Sequence, residues 1–145
     1  MLDLVRRKLS DGYELDDSVS RIDARSVHAY LSKQSYWARG RSLFQVLQSI
    51  VIAARVVGLY QDDRQVGFAR VVSDKISIAY LADVYVLPEH RGRGLGLELC
   101  RFAVDARPLS GLKWVLHTAD AHELYAKLGF VEASARTMER PRSAD

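Results

Sequence analysis

The stretch from Ile76 to Gly96 constrains this chain most. Ile76–Leu87 is almost unbroken apolar sequence, and Pro88 ends it. Arg91-Gly92-Arg93-Gly94-Leu95-Gly96 then opens a segment through Ala106 with helical spacing. A strand that is apolar along its whole length, rather than at every second residue, is covered on both faces. Such a strand requires helices on either side of its sheet. The chain is therefore restricted to α/β architectures, and its 145 residues suffice for a substantial core.

The remaining segments fit that restriction. Gly12–Ser18 reads as a first strand. Asp23 is placed to cap a helix over Ala24–Lys33, and Ser42 a second helix through Ser49. Strands are expected at Ala54–Gln61 and Gln65–Ser73, joined as a hairpin by Asp62-Asp63-Arg64. After the helix at Leu95–Ala106 come a short strand at Trp114–His117 and a short helix at Glu123–Leu128 that stops at Gly129. A last strand is expected at Phe130–Met138. The predicted order is β-α-α-β-β-β-α-β-α-β, an α/β (α+β) fold with a mixed central sheet flanked by helices. Residues 1–145 read as a single domain, with 1–8 and 139–145 expected to fray.

Composition narrows the function classes. Ile50–Ala54 and Ala79–Ala82 are the longest apolar runs, too short to span a bilayer, so no membrane partner is expected. Met1–Lys8 lacks the apolar stretch of a secretory leader, which points to a cytoplasmic location. Cys100 is the sole cysteine and the four histidines are scattered, so neither a disulfide nor a metal site is expected. The net charge of +3 sits in short arginine clusters rather than a long basic stripe. That pattern favours an anionic small ligand over nucleic acid.

The glycine-rich turn names the ligand chemistry. Glycines let backbone N–H groups close on a ligand, and the helix that follows adds free amides and partial positive charge. A diphosphate suits such a cup, with Arg91 and Arg93 adding charge-assisted contacts. Gly92, Gly94 and Gly96 do not keep the dinucleotide spacing G-x-G-x-x-G, and too little chain follows for that fold. The segment is not a G-x-x-x-x-G-K-[ST] loop either.

With these residues in view, the sequence resembles the GNAT superfamily, the GCN5-related N-acetyltransferases. Its acyl-CoA signature, [Arg/Gln]-x-x-Gly-x-[Gly/Ala], is matched by Arg91-Gly-Arg-Gly94-Leu-Gly96. The preceding Leu81-Ala-Asp83-Val-Tyr-Val86-x-Pro88 is in the family's style. The later family motif is matched by Leu124-Tyr125-Ala-Lys127-Leu-Gly129-Phe130. The resemblance implies direct transfer of an acetyl group from acetyl-CoA to a primary amine of a small molecule, amino acid or peptide. It implies cofactor contacts from Val84, Tyr85 and Val86, and from Arg91, Gly92, Arg93, Gly94, Leu95 and Gly96. It adds Thr118 to these cofactor contacts, through its hydroxyl, at the position where many members carry Asn. A non-catalytic acyl-CoA-binding sensor would keep the same cradle, and a basic nucleic-acid-binding domain is a third class.

Acyl transfer to an amine needs a neutral amine, a donor for the thioester oxygen and a proton for the departing thiolate. Tyr125 suits the last task as a general acid, because a phenol is protonated at neutral pH while a thiol leaves as the weaker base. Neutralising a lysine-like amine at pH 7 costs roughly 4.6 kcal/mol, an α-amine only about 1 kcal/mol. Asp83, a charge in an apolar strand on the same face as Tyr85, is the first candidate base. His117 is the second. Tyr36, Trp37 and Arg39 form an aromatic wall with a cation, suited to an acceptor that carries a carboxylate or phosphate. The acceptor itself and the oligomeric state are not legible, a homodimer being one open assembly.

Overall fold

The apolar segment at the centre of the sequence reading forms β5, Ile78–Val86, near one side of a six-stranded sheet. The computed structural model describes residues 5–143. Its other elements are β1 (Arg6–Lys8), β2 (Tyr13–Asp16), α1 (Ala24–Lys33), α2 (Leu43–Ile52), β3 (Arg55–Gln61), β4 (Arg64–Ser73), α3 (Leu95–Asp105), β6 (Lys113–Val115) and α4 (His122–Ala126). The sheet runs β1-β2-β3-β4-β5-β6. Neighbours pair antiparallel up to β5, and β5 pairs with β6 in parallel. The crossover helix α3 makes that parallel pairing possible.

Local chemistry explains most element ends. The Asp23 carboxylate accepts from the Ser26 amide at 3.1 Å and caps α1. Ser42 and Gln45 form a reciprocal capping box on α2. Asp62 and Asp63 both adopt positive φ, 48° and 70°, the backbone of a two-residue hairpin turn whose twist matches the strands.

Side-chain alternation divides the core in two. Val57, Leu59, Ala69, Val71, Ala79 and Leu81 meet Leu95, Leu99 and Phe102 on the α3 face. Val56, Phe68 and Tyr85 meet Val27, Tyr30, Leu31 and Val46 on the α1–α2 face. Arg55, at the start of β3, is buried beneath the end of α3. Its guanidinium donates to the carbonyls of Ala103 (3.0 Å), Ala106 (3.4 Å) and Arg107 (3.1 Å), and its Nε lies 3.9 Å from Asp17.

The structure corrects two expectations. First, Arg6–Lys8 is a strand, although its consecutive charges carry no alternation for a pattern reading to find. It pairs with β2 through its backbone and through Arg6, whose Nε lies 3.2 Å from the Asp16 carboxylate, and it blunts the sheet edge with cations. Second, Phe130–Met138 is not a strand. After Val131 the segment has no large apolar residue before Met138, so a strand there would bury little. Instead Ser134 turns the chain, its carbonyl accepting from the Thr137 amide at 3.0 Å and its hydroxyl from the Arg136 amide at 3.3 Å. The fraying expected for residues 1–4 and 144–145 falls outside the described residues.

Candidate active site

The site begins where the sheet stops pairing. β6 follows β5 only from Ile78 to Tyr80, opposite Lys113 to Val115, whereas β5 continues to Val86. The Leu87 amide donates across to Val66 on the β4 side at 2.8 Å. Backbone groups alternate along a strand, so those of Val86 and Val84 face the open split. One of them is already engaged: the Val86 carbonyl accepts from Arg91 Nε at 2.8 Å.

The cradle closes the top of this split. Gly92 and Gly94 hold φ of 81° and 76°, a left-handed backbone that side chains disfavour, and a Cβ at either would meet nothing within 4 Å. Gly94 is the N-cap of α3 and no side chain caps it. Among the described residues, the amides of 92–97 have no hydrogen-bond acceptor in the chain. They form an open, preformed cup for an anion at the helix N-terminus, and this fits the pyrophosphate of an acyl-CoA. The two arginines divide the labour. Arg91 braces the frame, its terminal nitrogen reaching the Tyr30 hydroxyl at 2.9 Å. Arg93 is exposed and makes no ion pair or hydrogen bond among the described residues.

A bulge shapes the β5 wall. The α3-facing residues run Ala79, Leu81, then Val84, Val86, a slip of one position, and β4 shifts register opposite between Phe68 and Arg70. Asp83 is the extra residue, with φ of 55°. Its carboxylate is buried and accepts from Arg70 Nε (2.7 Å), Arg41 (2.8 Å) and Trp37 Nε1 (3.0 Å). The expectation of an acid free to act as a base does not match this arrangement: Asp83 is a charge hub. Tyr85 does share its face, but that ring is buried against Tyr30, stacked at 3.9 Å, and its backbone groups alternate toward β4 rather than the split.

The α1–α2 loop spans the split from the other side. Trp37 is tied to β5 through Asp83, and the Tyr36 hydroxyl accepts from the Ala119 amide beyond β6 at 3.1 Å. Arg39 turns back on its own loop, its Nε donating to the Ser35 carbonyl at 3.1 Å. Thr118 accepts from the amides of Asp120 and Ala121, at 3.4 and 3.0 Å, and so shapes the turn into α4.

Tyr125 enters from α4, half-buried, its ring edge-on to Phe130 at 5.8 Å. Burial pushes its phenol above the usual range, and the neighbouring Cys100 thiol adds to that. Burial likewise pushes Cys100 up to about 12. Both groups therefore hold their protons at neutral pH. His117 is exposed at the mouth, with Nδ1 2.6 Å from the Tyr80 hydroxyl and Nε2 3.2 Å from Glu139. Sequence reasoning missed Arg41, Arg70, Tyr80 and Glu139. Only the arginine cluster at 39–41 gave any local sign of them. Among the described residues, no group of three or more His, Cys, Asp or Glu could hold a metal ion.

With that geometry in view, a family model described as an acetyltransferase (GNAT) domain matches residues 53–132, more than half of the chain. The chain belongs to the GNAT family. A GNAT-family protein of Xanthomonas campestris pv. campestris superposes with a TM-score of 0.83 at 42% identity, over 90% of this chain and 93% of that one. A curated Gibberella zeae protein whose name places it among acetyltransferases is 27% identical, covering 79% of this chain and 75% of its own length. A structure from Deinococcus radiodurans, 23% identical over 97% of this chain and 94% of that one, shares the fold with a TM-score of 0.71. The GNAT match covers β3 through α4, which includes the split, the cradle and Tyr125.

Proposed function

We propose that this GNAT protein is an N-acetyltransferase that moves an acetyl group from acetyl-CoA to a primary amine by direct transfer. The open row of amides at 92–97 above a split sheet carries this reading. A thioester supplies an activated acyl carbon and a good leaving group; the chain supplies position and protons. Residues 92–96 and Arg93 hold the pyrophosphate. The outward backbone of Val84 and Val86 aligns the pantetheine arm, and a strand amide there donates to the carbonyl oxygen as its negative charge grows. Tyr125 gives its proton to the departing thiolate. Asp83 acts by position rather than as a base, because its oxygens already accept from three donors. His117, solvent-accessible and bound to Tyr80, is the residue placed to pass the amine's proton to water.

Calorimetric titration with acetyl-CoA tests the donor. Saturation at a hundredfold excess over Kd should add about 2.7 kcal/mol of stability. Gly94→Ala places a methyl group in the cup and strains a left-handed position. It should weaken acetyl-CoA at least tenfold, roughly 1.4 kcal/mol. Unchanged affinity in this variant would remove the cradle from the donor site. Binding of acetyl-CoA without thiol release, for any member of an amine library, would favour the sensor reading.

A further inference from the structure

The Asp83 hub is unbalanced. Two guanidiniums, from Arg41 and Arg70, converge on the same carboxylate oxygen, and the other oxygen takes the Trp37 indole N–H. One negative charge thus faces two positive ones. The contacts also leave most of each guanidinium unused. Among the described residues Arg70 donates only through Nε, and Arg41 through one terminal nitrogen. The remaining N–H groups of both have no acceptor among the described residues. Their side chains are only 20% and 15% exposed, so they are partly stripped of water yet still reachable. A partly desolvated, doubly charged fork of this kind is a receptor for a planar or tetrahedral oxyanion.

Location decides what that anion belongs to. Arg70 stands on β4 opposite Ala82 and Arg41 ends the loop that carries Tyr36 and Trp37, so both line the α1–α2 face beside the β5 bulge. The cradle at 92–97 opens instead at the N-terminus of α3, on the other side of the split. Exposed Glu139 is paired with His117, its carboxylate 3.2 Å from Nε2.

We infer that Arg41 and Arg70 form an anion subsite in the acceptor groove, so that the acceptor is a small amine bearing a carboxylate or a phosphate. This rests on the acyltransferase reading for the amine, but not for the anion. Asp83 serves the subsite as a positioning residue, holding both arginines in one plane of approach.

Matched acceptors test it, namely an amino acid against its amide and an aminoalkyl phosphate against the corresponding amino alcohol. Wild-type protein should favour the anionic member at least tenfold in kcat/KM, mostly through KM, and whichever pair shows the larger preference identifies the anion. Arg70→Gln should reduce that preference at least tenfold, and Arg70→Lys should restore part of it. Equal kcat/KM for both members of each pair in wild type, or an unchanged preference in Arg70→Gln, would overturn the subsite. Inorganic phosphate, titrated calorimetrically without acetyl-CoA, gives a readout independent of turnover: Arg70→Gln should lose one binding step relative to wild type while any step at the 92–97 cradle remains, and an isotherm identical to wild type counts against the subsite. If no amine releases thiol, the acyltransferase reading fails and the phosphate titration still decides the subsite. Arg41→Gln, altered on the loop rather than in the sheet, should give the same two losses if Arg70→Gln melts early.

Discussion

Replacing Tyr125 by Phe should lower kcat by about 10²–10⁴-fold while leaving the affinity for acetyl-CoA within a few-fold of wild type. The ring would keep its packing against Phe130, so only the proton is removed. Burial and the Cys100 thiol hold the phenol above its ordinary value. The acid form therefore persists through neutral pH and beyond pH 10, and the alkaline limb of kcat should not reflect loss of this proton below that range. Steady-state kinetics with free-thiol detection, paired with calorimetry, separates the two quantities. A kcat within threefold of wild type would reduce Tyr125 to packing.

The second large effect is on stability. Arg55→Ala should cost about 3–5 kcal/mol, because it strands a buried carboxylate and leaves the last carbonyls of α3 without a donor. For a chain of this size that corresponds to a fall in Tm of roughly 10 °C. Burial already holds the Asp17 carboxyl above the usual carboxylate range, so the loss of its partner falls on a group that is poorly solvated. Asp17→Asn in the Arg55→Ala background should recover part of the loss, since the unpaired charge is gone while the helix carbonyls remain open. A single variant melting within 2 °C of wild type, a limit set by the same scaling, would show that Arg55 does not brace α3.

What the sequence disclosed was local in origin. The apolar run of β5, the caps at Asp23 and Ser42 and the glycines at 92–96 each act through neighbours a few residues away, and each is legible without a partner. The departures involve distant segments. Asp83 and Arg41 are 42 residues apart, and Asp83 and Arg70 are 13 apart, so no periodicity predicts that a lone strand carboxylate is neutralised. Arg91 matched a phosphate-binding signature, yet part of it serves Tyr30, 61 residues away. The absent last strand shows the reverse error: a strand is expected at Phe130–Met138, where most residues after Val131 are too small or polar to bury much surface.

The extra residue in β5 also gives this strand a parity. Up to Leu81 the odd positions face α3, and from Val84 onward the even ones do. Exchanging one side chain for another leaves that count intact. Removing a single residue between Leu81 and Val84 would remove the bulge and restore a regular ladder. Where the residue lost is Asp83, the ladder would pair without interruption, but the arginines would lose their shared carboxylate. A substitution in this wall thus leaves the register of β5 in place, whereas the loss of one residue does not. A relative with β5 shorter by that residue would keep the glycine cradle at 92–97 and lack the point where the two arginines meet.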